Sequence, residues 1–323
     1  MRQTRKMVAS LSCDLDDKWS YLKTHGDSGW ETLPSYLDLV VPRMLGMFRN
    51  RELTGTFFIV GQDAALARNH GLLRSITEAG HEAGNHSFKH EPWLHLYSRE
   101  DIGAEIGMAE DSIERATGQK PVGFRGPGYS LSQATVDELM RRGYVYDAST
   151  FPTFLTPLVR MYYFATASFS PEEKRRRKAL GGKLRDGLRP NRPYYWRIDG
   201  NQLCEIPVTT LPLLKIPMHM SYLLGLRQVS SRMAFTYFDL GLRLCRLTKV
   251  EPSIVLHPTD FLGVEDGHGL AFIPGMGLPR TVKLSFVGAV LDRLRAAFSV
   301  VTLREHAAIA GLRPALPVMD PLF

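Results

Sequence analysis

Two histidines four residues apart, in Gly84-Asn85-His86-Ser87-Phe88-Lys89-His90, and the upstream acidic cluster Asp14-Leu15-Asp16-Asp17 are the groups best suited to chemistry. At i and i+4 the two imidazoles would share one face of a helical turn, where both can reach a single cation. Imidazole and carboxylate are zinc-type ligands, and three protein ligands with an open position describe a catalytic metal centre. The aspartates follow an apolar, β-prone run, Met7 to Leu11, which places them at the C-terminal end of a first strand. Together the two motifs point to a metal-dependent hydrolase.

Three further sets of residues complete such a site. Phe124-Arg125-Gly126-Pro127-Gly128-Tyr129 is a tight loop whose glycines let backbone N–H groups approach a ligand beside one fixed cation. Tyr144-Val145-Tyr146-Asp147 ends a strand on a carboxylate, and Ile254-Val255-Leu256-His257-Pro258 ends one on a histidine. A metal to polarise a carbonyl, a carboxylate base, oxyanion donors and a histidine acid are the parts of an amide hydrolase.

The elements that must position these groups alternate between strand-like and helical. Strands are expected at Met7–Cys13, Gly55–Val60, Leu203–Pro207, Ser253–His257 and Ser299–Leu303. Helices are expected at Leu33–Arg51 (Pro34 in its first turn), Leu72–Ala79, Ser98–Thr117, Ser132–Arg142 and Thr281–Phe298, several closed by glycine. Such alternation favours parallel βα units, and the polar signatures follow strand-like runs, where these folds carry their chemistry. An α/β barrel is the expected architecture, as a single domain over residues 1–323.

The 323 residues are 44% hydrophobic and 23% charged, enough for a sizeable core, with a net charge of +7. The three cysteines are scattered and odd in number, which argues against a disulfide framework. With no readable export signal at the N-terminus, a cytoplasmic location is expected.

In their order, the motifs resemble those of the NodB-homology polysaccharide deacetylases, carbohydrate esterase family four: an acidic strand end, His-Ser-x-x-His, an Arg loop, a later Asp and a Leu-His. The resemblance implies a distorted (β/α)7-type barrel and deacylation of an N-acylated amino sugar. It implies Asp14 as the base that activates water, and Asp16, His86 and His90 as ligands of one divalent metal. Zinc is the default ion for that set, with cobalt, manganese or nickel as alternatives. Arg125 would hold the base ionised, and His257 would be the general acid with Asp147 orienting it. Asp14-x-Asp16 spacing makes these two the natural pair, with Asp17 as the alternative ligand to Asp16. The Arg-Gly-Pro-Gly-Tyr form of the loop leaves the backbone N–H of Gly128 or of Tyr129 to serve the oxyanion.

Residues 151–200 stand out as an insertion or cap carrying 11 Lys/Arg against 4 Asp/Glu and nine aromatics, with its peak at Lys174-Arg175-Arg176-Arg177-Lys178. Basic residues beside aromatics suit an anionic membrane surface, and no nucleic-acid partner is expected. Glu205-Ile206-Pro207-Val208-Thr209-Thr210-Leu211-Pro212 is similar to a stretch in the branch of lipid-linked formamido-arabinose deformylases. The apolar segments that follow, Leu211–Met220 and Tyr222–Leu226, would line a lipid-facing groove or pack on the barrel. The expected substrate is therefore an N-acyl amino sugar, lipid-linked, at the inner membrane face. An amidase for small cyclic amides or ureides and a non-catalytic carbohydrate-binding module are the competing functions.

Overall fold

The computed structural model describes residues 6–155, 184–267, 269–313 and 315–321. The basic cluster Lys174–Lys178 and most of the expected cap lie outside the described residues.

Strand β1 (Val8–Leu15) is buried along its whole length, as a strand covered on both faces must be. It pairs in parallel with β2 (Thr56–Ile59), β8 (Ser253–Leu256) and β9 (Ser299–Val301). From β2 the sheet continues through β3 (Glu82–Asn85), β4 (Gly123–Phe124), β5 (Tyr146–Asp147) and β7 (Asn201–Glu205), all parallel. Beyond β7 lie β6 (Tyr194–Ile198), antiparallel to it, and β10 (Val318–Met319).

The extended chain after β7 brings the two ends of this path together. Val208 N–H donates to the Thr150 carbonyl at 2.9 Å, and Thr209 N–H to the Ser253 carbonyl at 3.1 Å. Backbone hydrogen bonds thus run from β1 through β5 and residues 206–210 to β8, which pairs with β1. The ring has seven members, with β6 and β10 as an outer flap.

Helices cover the ring: α1 (Lys18–His25), α2 (Leu37–Arg49), α3 (Gly61–Ala64), α4 (His70–Glu78), α5 (Arg99–Thr117), α6 (Gln133–Arg141), α7 (Met220–Val229), α8 (Ser231–Thr248), α9 (Arg280–Ala297) and α10 (Leu303–Gly311). Helix α5 starts where Ser98 caps Asp101 N–H and stops at left-handed Gly118. Helix α2 starts four residues later than its pattern suggests. Leu33 takes a left-handed conformation (φ 51°), and Asp17 Oδ1 binds the Tyr36 N–H at 3.0 Å, setting the entry. The largest core packs β1, β2 and β8 against α2, α8 and α9. Among the described residues no helix is long and apolar enough to cross a membrane.

One expectation for residues 151–200 needs correction. Tyr194-Tyr195-Trp196 is not a surface patch but β6, with Tyr194 and Trp196 fully buried and Trp196 Nε1 donating to Glu205 at 2.9 Å. Their alternation within a strand turns two of the three rings into the core. In Leu211–Met220, Leu211 and Met218 pack on the barrel while Leu213 and Leu214 are exposed: residues 209–218 form a hairpin-like excursion joined by a Thr210–Pro217 bridge, leading into α7.

Candidate metal and acid–base site

The aspartates stand at the C-terminal end of β1. Asp16 Oδ1 lies 3.2 Å from His86 Nε2 and 3.0 Å from His90 Nε2, and one ligand atom from each of the three residues lies within 4.8 Å of the others. All three residues are buried. Among the described residues, neither Asp16 Oδ1 nor either ring nitrogen of His90 has a well-directed hydrogen bond. Buried polar atoms ordinarily find partners, so lone pairs converging without protons between them are a cation's donor set. His86 is oriented for this, because its Nδ1 lies 2.7 Å from the Arg125 carbonyl, which leaves Nε2 as the lone-pair nitrogen. Burial opposes the Asp16 carboxylate, but His90 and His86 outweigh it and hold its pKa well below the usual range.

The two histidines do not lie on a helix. Residues 86–90 form a loop after β3 with positive φ at Ser87 (58°) and His90 (53°). Asn85 Oδ1 accepts from Ser87 N–H, and Glu105 Oε2 of α5 accepts from the Phe88 and Lys89 N–H groups at 3.1 and 2.9 Å. A distant carboxylate thus overrides the local helical spacing.

Asp17 is not in this set. It caps α1 through the Lys18 N–H at 2.7 Å and holds the Tyr36 N–H, and burial raises its pKa to about 6.

Asp14 has a different neighbour. Its Oδ1 accepts from Arg125 at 2.6 Å, and Oδ2 faces His257 Nε2 at 3.8 Å. His257 is also 3.9 Å from Asp16 Oδ2. Arg125 is fully buried. It donates to Ser12 Oγ and the Ala148 carbonyl, both at 2.9 Å, and lies over the Phe58 ring at 4.3 Å. Burial works against its charge, yet Asp14 and its other neighbours raise its pKa further.

The loop after Arg125 is closed by Gly126, where a Cβ would collide with the Ser130 carbonyl. Tyr129 N–H is already donated to the Gly126 carbonyl at 2.9 Å, whereas Gly128, at φ 58°, is exposed. The Tyr129 hydroxyl is buried without a hydrogen-bond partner among the described residues, its ring 5.0 Å from Phe151.

Asp147 is separated from His257. It accepts from Ser149 Oγ at 2.6 Å, and burial followed by the charge of Glu205 raises its pKa well above the ordinary value. No hydrogen bond or ion pair joins it to His257 among the described residues, which corrects the expected orienting role. The group against His257 is His219, its ring 4.7 Å away at 35°. His219 caps α7, accepting Ser221 N–H on Nδ1 at 3.2 Å, so the neutral ring carries its proton on Nε2. Burial, then His257 and Arg125, push its pKa well down. His219 was not singled out in sequence, where it is one polar residue in an apolar stretch; its place before Met220-Ser221, as a cap, was the available signal.

A family model described as polysaccharide deacetylase matches residues 27–146. Over that segment the chain is similar to the NodB-homology polysaccharide deacetylase superfamily. Among curated relatives of this superfamily, a peptidoglycan deacetylase of Helicobacter pylori is 25% identical over 160 residues, covering 47% of this chain and 53% of the relative. The peptidoglycan-N-acetylmuramic acid deacetylase PdaA of Bacillus subtilis is 30% identical over 104 residues, covering 32% of this chain and 38% of the relative. The chain thus spans about half the first relative and less of the second. A crystal structure titled as a putative polysaccharide deacetylase from Mycobacterium smegmatis shares the fold, with a TM-score of 0.58 and 20% identity, over 100% of this chain and 97% of that one. The matched segment, 27–146, holds His86, His90 and Arg125. Asp14, Asp16 and His257 lie outside it and meet the others in space.

Proposed function

We propose that this chain is a metal-dependent deacylase, a deacetylase or deformylase, that hydrolyses the amide of an N-acylated amino sugar. The observation that supports it most is the adjacency of two differently served carboxylates. Asp14 is gripped by a buried arginine, Asp16 lies between two imidazoles, and His257 faces both. Asp16, His86 and His90 would hold the divalent ion, zinc by the chemistry of the set. When bound, such an ion supplies Lewis-acid polarisation of the acyl carbonyl. Asp14 takes the proton of the attacking water, and Arg125 keeps that carboxylate aimed. The N–H of Gly128, rather than the occupied one of Tyr129, is the donor available to the developing oxyanion. His257 returns a proton to the departing amine, and its ring is positioned by His219 instead of Asp147.

The similarity of residues 205–212 to the deformylase branch, together with the basic insertion, favours a lipid-linked sugar at the cytoplasmic face of the membrane. Mass spectrometry of the lipid-linked sugars in a deletion strain tests the substrate: an accumulated N-acyl species supports the reading and an unchanged profile removes it. His86→Ala should keep the far-UV circular dichroism of the parent while losing stoichiometric metal and hydrolysis. Full metal content in that variant would sink the ligand assignment.

A further inference from the structure

Apolar side chains gather in the open on one side of the barrel. Leu213 and Leu214, at the tip of the 209–218 excursion, are 81% and 62% exposed, and Leu213 and Lys215 are held at φ 70° and 57°. A leucine in the left-handed region at a solvent-exposed tip is costly twice over, in backbone strain and in hydration. Helix α8 lies beside this tip: Tyr237 Oη donates to the Pro217 carbonyl at 2.9 Å. Met233 and Leu240, four residues before and three after Tyr237, flank it on the same side of the helix, and Leu247 continues the strip one heptad on. All three are exposed, Leu247 by 78%.

The remainder of the outer face of α8 is basic. Arg232, Arg243 and Arg246 are exposed and make no ion pair among the described residues. Asp239, the acid of this helix, is committed to Arg293 at 3.3 Å. In cross-section α8 therefore runs from a buried face, through an apolar strip beside the leucine tip, to an edge of unpaired arginines. That is the profile of an interfacial helix, whose apolar strip enters the acyl boundary while arginines reach back to phosphates.

We infer that the leucine tip and the outer face of α8 dock the protein on an anionic lipid bilayer. Charge complementarity selects this occupant: an apolar partner surface would leave the arginines unanswered, whereas anionic headgroups answer them. The inference deepens the lipid-linked reading of the substrate but uses residues separate from the cap and from the site, so each can fail alone.

Co-sedimentation with phosphatidylcholine vesicles, with and without phosphatidylglycerol, tests it on the full-length protein. Binding should require phosphatidylglycerol and weaken as salt rises. The pair Arg243→Gln and Arg246→Gln, both surface positions, should weaken partitioning about 30-fold, at roughly 1 kcal/mol per arginine. Leu213→Asp with Leu214→Asp should weaken it by at least as much, with metal content and hydrolysis of a water-soluble N-acyl sugar retained. Replacing Lys174–Lys178 by Gln should leave a residual binding that these two pairs remove. Equal binding to neutral vesicles, parental binding by both pairs, or no binding at low salt would overturn the inference. So would a dimer in sedimentation velocity that the leucine pair dissolves, since the face would then belong to a second copy. A protein that docks but hydrolyses no N-acyl sugar would keep the surface and lose the proposed activity.

Discussion

Asp14 and Asp147 both end strands of the same ring, both are buried, and they have opposite neighbours. Asp14 receives a guanidinium at 2.6 Å, while Asp147 faces the carboxylate of Glu205. Glu205 is the better served of that second pair, accepting from Thr150 N–H and Oγ1 at 3.0 and 2.6 Å and from Trp196 at 2.9 Å. Burial and the adjacent Glu205 carboxylate favour the protonated form of Asp147. The difference teaches that position at a strand end does not make a buried aspartate a base. A carboxylate held by a cation can serve proton transfer, whereas one facing another carboxylate is suited to a structural role.

The sharpest way to break this comparison is Asp14→Asn. Turnover should fall by about 10²–10⁴-fold, the range for losing a general base, with metal content kept and the melting temperature lowered because Arg125 loses its buried partner. Near-parental turnover would end the distinction and restore the binding-module reading. Next comes Arg125→Met, which strands the Asp14 charge in the interior. Removing one partner of a buried pair costs about 3–5 kcal/mol, read as a lower denaturation midpoint at unchanged m-value, and hydrolysis should vanish with it. A loss near zero would mean that water reaches Asp14 freely.

The smallest effects belong to the second pair. Glu205→Gln should cost about 1–3 kcal/mol, because one of its oxygens becomes a donor among donors. Asp147→Asn replaces a protonated acid by its near-isostere and should change turnover little. Its stability should carry a pH signature. A folded-state pKa raised above the unfolded value of about 3.9 means that the native state keeps a proton the unfolded chain releases. Stability of the parent is therefore full below that value and declines as pH rises toward the folded pKa. Asp147→Asn should lack this decline and gain on the parent with increasing pH in denaturant titrations. Parallel profiles would show that Asp147 is ionised after all.

What could be seen in the sequence was decided by whether the cause was local. The ends of β1 and β8, and the clustering of Asp14, Asp16, His86, His90, Arg125 and His257, follow from residue types after strand-like runs. The helical turn at His86–His90 was misjudged because Glu105, on another element, sets that loop. Asp147 was given a role beside His257 because nothing in a linear chain announces that Glu205 will face it. In sequence, Leu211–Met220 stays open between a lipid-facing groove and barrel packing, and the residues of α8 have no reading, since a strip seen without its neighbours cannot be told from core.

Arg125 touches Ser12 and Asp14 on β1, Ala148 beyond β5 and the ring of Phe58 on β2, so it is also a fastener of sequence-distant segments. Its contacts with β1 span more than a hundred positions, and His257 arrives only with the strand that completes the ring. Contacts of such separation form slowly, because each closes a long loop before any reward is collected. On the ribosome the emerging chain would carry both histidines, His86 and His90, long before it could oppose them with His257. Competence for hydrolysis and closure of the ring should accordingly appear together in refolding, as one kinetic phase seen by two probes.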